Sequence, residues 1–96
     1  MSKTGIAIQQ DRLIVSGDLD FSTVVIVWNQ SLPLIQSLNE LNFDLTEVSS
    51  SSSAGLALLI EWIKYAKRAK KPIQFTHIPE KLKSIISAAG IDGVLS

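Results

Sequence analysis

The chain has 96 residues, 46% of them hydrophobic, and its nine basic and nine acidic side chains cancel to a formal net charge of zero. This length makes one domain with a single core, and the apolar content excludes a disordered chain. A neutral balance offers no handle for nucleic acid or an anionic membrane surface, and the lack of cysteine excludes disulfides and thiolate chemistry.

The first residues, Met1-Ser2-Lys3-Thr4-Gly5, lack the apolar stretch of a secretory signal, and the apolar run at residues 56–60 is far too short to span a bilayer. A soluble cytoplasmic protein is the expectation.

Ile6, Ile8, Leu13 and Val15 alternate with polar or small residues around Gln9-Gln10-Asp11-Arg12, the pattern of a two-stranded hairpin with one buried face. Gly17-Asp18-Leu19-Asp20 then ends the second strand. Ser22 is the expected N-cap of a helix over residues 23–38, with Val24, Val27, Trp28, Leu32 and Ile35 at three- and four-residue spacings. Pro33 lies inside that pattern and lacks an N–H, which predicts a kink or a break.

A third strand is expected at residues 41–45, followed by a polar turn of five serines, 49–53, and a second helix over about 54–70. Lys67, Arg68, Lys70 and Lys71 suit the negative end of that helix dipole, and Pro72 stops it. Residues 73–77 alternate as a fourth strand. Pro79 begins a third helix with Leu82, Ile85, Ile86 and Ala89 inward, and Gly90 closes it. Residues 91–95 form a short tail that adds a final edge strand or simply packs. The order β-β-α-β-α-β-α implies an α/β fold, a mixed sheet of four or five strands with helices packed against it.

Two stretches carry a resemblance. Asp44-Leu45-Thr46-Glu47-Val48, a gap of three serines, then Ser52-Ser53-Ala54-Gly55-Leu56 is similar to the signature of STAS domains, the anti-sigma-factor-antagonist fold. Gly17-Asp18-Leu19-Asp20 resembles the Gly-x-Leu-Asp turn of that family. The resemblance implies a single STAS domain over residues 1–96. It also places Ser53 where switch-type members accept a phosphoryl group from a partner kinase. A phosphate at a helix N-terminus is chemically reasonable, since unpaired N–H groups and the positive dipole end meet there. The alternative physical role is an ordinary N-cap by Ser53 or Ser52, and one hydroxyl can serve both. Ser52 departs from the phosphorylated members, which mostly carry Asp before the acceptor. Gly55 most simply lets the helix approach the sheet or a partner backbone closely.

On a helical wheel, Leu56, Leu59, Ile60, Ile63 and Ala66 form the core face of the second helix, while Glu61, Lys64 and Arg68 are solvated. Leu58, Trp62, Tyr65 and Ala69 make a third stripe, rotated away from the core. Trp62 either tucks beneath a neighbouring loop or stands out as a protein-binding ridge continuous with Ser53. In the second case the partner-binding set is Ser51, Ser52, Ser53, Ala54, Gly55, Leu58, Trp62 and Tyr65.

His77 has no nearby Cys or second His, so a hydrogen bond at a strand end suits it better than a metal. Asp18, Asp20 and Asp44 are the acids able to gather at one end of the sheet, and Asp44 reads as a residue capping local N–H groups. No phosphate-binding glycine loop and no nucleophile with an adjacent base is present, so neither an enzyme nor a cofactor is expected. Gly55-Leu56-Ala57-Leu58-Leu59 and Trp28 narrow the resemblance to the Mla-type STAS subunit of phospholipid ABC transporters. That resemblance implies a non-catalytic accessory subunit on the cytoplasmic ATPase, with the permease in the complex and Ser53 at the contact. The second implied function is an anti-sigma factor antagonist that binds its partner only while Ser53 is unmodified. A tail cut from a sulfate transporter is disfavoured by a short chain that starts at Met1.

Overall fold

A computed structural model of the protein describes residues 4–90. Two strands, β1 (Gly5–Gln9) and β2 (Arg12–Leu19), form the expected hairpin, with Gln10 and Asp11 at positive φ in its tight turn. Then follow α1 (Val24–Ser37), β3 (Leu41–Ser51), α2 (Ser53–Ala69), β4 (Ile73–Thr76) and α3 (Glu80–Ala88). The strands lie side by side in the order β1-β2-β3-β4, antiparallel in the hairpin and parallel in the two pairs that follow. This is the mixed α/β sheet with packed helices that the alternation of periods implied. The expected tail at residues 91–95 lies outside the described residues.

The third strand is twice as long as its apolar run suggested. Leu41, Phe43 and Leu45 alternate inward, but Val48 is out of phase with them. The ladder with β2 absorbs the mismatch through irregularities between Ile14 and Ser16 and between Gly17 and Asp18. Each places one extra residue on β3, so that Val48 and then Ser51 return to the helix side. The serines at 49–51 are therefore strand rather than turn, and only Ser52 separates β3 from α2.

The buried core runs from Leu13, Val15 and Leu19 on β2 through Leu41, Phe43 and Leu45 on β3 to Leu59, Trp62 and Ala66 on α2 and Leu82 and Ile86 on α3. Helix α1 packs on β1, and α2 lies between α1 and α3 with α2 and α3 against β3. Ile85 of α3 is half-buried and its C-cap Ala89 is exposed, so the inward face is narrower than the spacing suggested.

Helix α1 runs unbroken through Pro33. The proline removes the bond to the Asn29 carbonyl, but Asn29 and Pro33 are both exposed, so water can take that acceptor. The far end of α1 is held from outside: Lys71 Nζ donates to the carbonyls of Ile35 at 2.7 Å and Gln36 at 3.3 Å. At its start the N-cap is Thr23, not Ser22. Asp20 organises this turn, its carboxylate accepting from the backbone N–H of Ser22 at 2.9 Å and of Thr23 at 3.1 Å, while Thr23 Oγ1 accepts from the N–H of Asp20. These bonds, led by the one from the Ser22 hydroxyl, hold the Asp20 carboxyl below its usual range. Pro79 is likewise the N-cap of α3 rather than its first residue, and Gly90 follows the C-cap at φ +72°.

Candidate protein-binding surface

The β3–α2 junction is built by a chain of hydroxyls that point in different directions. Ser50 Oγ donates to the Asp18 carboxylate at 2.9 Å, on the side of the sheet away from the helices. Ser51 faces inward, is 4% exposed, and its hydroxyl has no partner among the described residues. Ser52 is the N-cap: its extended backbone lets Oγ accept from the Ala54 N–H at 3.2 Å, while its carbonyl accepts from the Gly55 N–H at 2.9 Å. Its own N–H reaches back to the Leu19 carbonyl at 3.0 Å, which fixes the turn against β2. Ser53 is the first helical residue and is exposed, with no bond to its hydroxyl among the described residues.

Capping and exposure are therefore divided between neighbours. The cap belongs to Ser52, and the free hydroxyl at the positive end of the helix belongs to Ser53. Ala54 and Gly55 are buried behind them. A Cβ on Gly55 would meet Leu19 Cβ and Ser51 Cβ at 3.4 Å, ordinary contact, so close approach does not demand a glycine there.

Trp62 does not form a ridge. It is fully buried, stacked on Phe43 with ring centroids 4.1 Å apart, and its Nε1 donates to Ser31 Oγ at 3.0 Å. Leu58 is also buried, Tyr65 is half-buried and Ala69 is exposed. The helical wheel failed because α2 is sandwiched between α1 and α3 as well as lying on the sheet, so its apolar arc is broad and includes the supposed third stripe.

Three of the four exposed large apolar side chains among the described residues lie instead on α1 and the turn before it, the fourth being Ile8 on β1. Phe21 is 76% exposed, Val25 61% and Ile26 52%. An open groove of about 210 Å³ borders Val25, lined by Val24, Val25 and Trp28 of α1 and Ala57, Leu58 and Glu61 of α2. Ala57 stands one helical turn beyond Ser53 on the same face, so hydroxyl and groove form one surface. The sequence signal for it was the unbroken apolar run at residues 24–27, more than one buried helix face requires.

The three acids do not gather. Asp18 and Asp20 flank the end of β2, whereas Asp44 pairs with Ile14 and Thr76 further down the sheet. Its nearly buried carboxylate accepts from Thr46 Oγ1 at 2.6 Å and the Thr46 N–H at 2.9 Å, and meets His77 Nδ1 at 3.2 Å and the Arg12 guanidinium at 3.5 Å. The Thr46 bonds, with His77 adding to them, hold the Asp44 carboxyl below its usual range against the opposing effect of burial. His77 makes the expected strand-end bond, at φ +57°. Among the described residues no three metal-ligating side chains converge, and no helix is long and apolar enough to cross a membrane.

The family model described as Mlab, STAS domain matches residues 2–96. The chain belongs to the STAS domain family. The STAS fold is also what the chain shares with a solved structure, that of the anti-sigma factor antagonist SpoIIAA in its unphosphorylated form. The two superpose with a TM-score of 0.69 at 12% identity, covering 90% of this chain and 79% of that one. No curated protein matches by sequence. The STAS assignment gives the two motifs structural roles: Gly17-Asp18-Leu19-Asp20 closes β2 and starts α1, and Ser52-Ser53-Ala54-Gly55-Leu56 caps α2 directly beside it.

Proposed function

We propose that this STAS domain is a non-catalytic accessory subunit that docks on the cytoplasmic ATPase of a phospholipid ABC transporter. Its permease would belong to the same complex, and the system would maintain outer-membrane lipid asymmetry. The protein would then be cytoplasmic and peripheral to the inner membrane through its partner. The observation that carries this reading is the exposure of Phe21, Val25 and Ile26 on α1 and the turn before it, together with the groove that Val25 borders and that Ala57 brings within one helical turn of Ser53. Large apolar side chains left exposed in this way support a protein contact, and the more apolar an interface, the better it suits a permanent partner. The Mla description of the matching family model agrees with this assignment. Ser53 then serves at the contact, with Ala57 beside it.

A second reading is supported by one specific observation. The Ser53 hydroxyl is exposed and unbonded at a helix N-terminus, which suits a phosphoacceptor in an anti-sigma factor antagonist. Against it stands Ser52 in place of an acid, and a first turn whose Ala54 and Gly55 N–H groups are already bonded by Ser52. A tagged pull-down from the native cell separates the two. Recovery of an ABC ATPase with its permease supports the subunit; recovery of a serine kinase or a sigma-factor regulator overturns it.

A further inference from the structure

The zero net charge conceals a strong segregation. Residues 4–50 carry six acids against Arg12 alone, whereas residues 61–83 carry seven bases against Glu61 and Glu80. The positive half includes Lys64, Lys67 and Arg68, exposed on the second half of α2, on the helix side of the sheet.

Helices α1 and α2 run side by side in the same direction. Val24 and Val25 face Ala57 and Leu58 across the groove, Ser31 bonds Trp62 at mid-length, and Lys71 beyond α2 binds the last carbonyls of α1. On α2, Ser53, Ala57, Glu61, Lys64 and Arg68 follow four-, four-, three- and four-residue steps, which places them on one face. That exposed stripe begins with a hydroxyl, passes the apolar groove and ends in cations. Lys64 is partly neutralised by Glu61 at 3.4 Å, while Lys67 and Arg68 have no ion-pair partner among the described residues.

We infer that the groove between α1 and α2 receives a helix of the partner protein that is apolar over its first turns and acidic farther along. This rests on the protein-docking reading above and names the chemistry of the docked segment. Apolar side chains of that helix fill the space between Val25, Trp28 and Ala57. Arg68 lies eleven residues beyond Ala57, about 17 Å along the axis, and Lys67 about 15 Å. Carboxylates roughly ten to eleven residues from the apolar anchors therefore meet Lys67 and Arg68. An anionic membrane is the less suitable occupant, because Glu61 stands in the stripe between the apolar groove and the cations, where a lipid surface laid along α2 would meet it.

The test is photo-crosslinking of the full chain in its native cell, with benzoylphenylalanine in place of Ala57 or of Lys64, two exposed positions of the stripe, one at the groove and one a helical turn before Arg68. The expected result is one partner, cross-linked from Ala57 within an apolar segment and from Lys64 near acids on the same helix. The double variant Lys67→Gln/Arg68→Gln should then bind that partner about tenfold more weakly at low salt and equally well at high salt, with its circular dichroism unchanged. Recovery of the ATPase in a pull-down without crosslinks from either position overturns the groove while leaving the transporter reading intact. Crosslinks to an apolar-acidic helix of another protein do the reverse. Flotation with phosphatidylglycerol vesicles that the double variant abolishes overturns the inference in favour of a membrane.

Discussion

Trp62 on α2 and Ser31 on α1 are joined by a 3.0 Å hydrogen bond from the indole Nε1 to the serine Oγ, and neither side chain touches solvent. Ser31 Oγ in turn donates to the Trp28 carbonyl at 2.7 Å, so the indole is tied into the turn of α1 that lines the groove. Beneath it, Phe43 stacks on Trp62 and Phe75 stacks on Phe43 at 5.3 Å, continuing the aromatic column across β3 and β4.

Trp62→Ala should therefore destabilise the fold by about 3–5 kcal/mol, the cost of emptying a large aromatic site. Ser31→Ala should cost about 1–3 kcal/mol by leaving a buried indole N–H unpaired, although it removes a single oxygen. Denaturant unfolding with unchanged m-values would measure both. A Trp62→Ala variant that keeps its melting temperature would show that the indole is not packed as described.

Two glycines of the STAS motifs should respond in opposite directions. Gly17 has φ +87°, and a Cβ there would lie 2.5 Å from Thr4 Cα and 2.6 Å from Thr4 Oγ1. Gly17→Ala should therefore destabilise, with both backbone strain and a backbone clash opposing it. At Gly55 a Cβ meets ordinary contact inside a helix, so Gly55→Ala should stabilise by about 0.5–1 kcal/mol. Paired thermal melts check the sign of each.

The legible part of this protein was whatever one period could encode. The hairpin, the alternation of strands and helices, the closing Gly90 and the bond at His77 follow from local spacing and turn chemistry. What failed depended on neighbours. Val48 reaches the core only because the β2 ladder accepts an extra residue, and Trp62 is buried only because α1 and α3 flank it. Pro33 is tolerated because it lies on the solvent side. At the candidate surface, the motif located Ser53 correctly at the start of α2, but nothing in a helical wheel distinguishes Trp62 beneath α1 from Val25 above the groove.

Asp44 makes stability depend on acid. Its carboxyl sits lower in the folded chain than in the unfolded chain, chiefly through the Thr46 bonds, so its contribution is complete above the ordinary carboxylate range, near pH 4. The contribution is lost as pH falls through the lower folded value. Asp44→Asn should thus lower the urea midpoint at pH 7 and fall less on acidification than the parent, keeping the part that Asp20 contributes, so that the two curves approach each other below about pH 4. Parallel curves through that range would remove Asp44 as the cause.

Ser53 and Val25 should separate affinity from folding. Aspartate at the first position of α2 faces the positive end of the helix dipole, so Ser53→Asp should leave the melting temperature unchanged or slightly raised. It should nevertheless weaken partner binding by placing a charge beside the apolar groove. Val25→Asp, at a side chain that is already mostly in water, should cost little stability and lower affinity at least tenfold, about 1.4 kcal/mol, if α1 forms the contact. Ser52→Ala is the counterpart: losing the cap should cost about 1 kcal/mol of stability with affinity intact once the folded fraction is accounted for. Calorimetric titration against the ATPase at matched folded concentrations reads all three. Equal affinities for Val25→Asp and the parent would place the partner on another face of the domain.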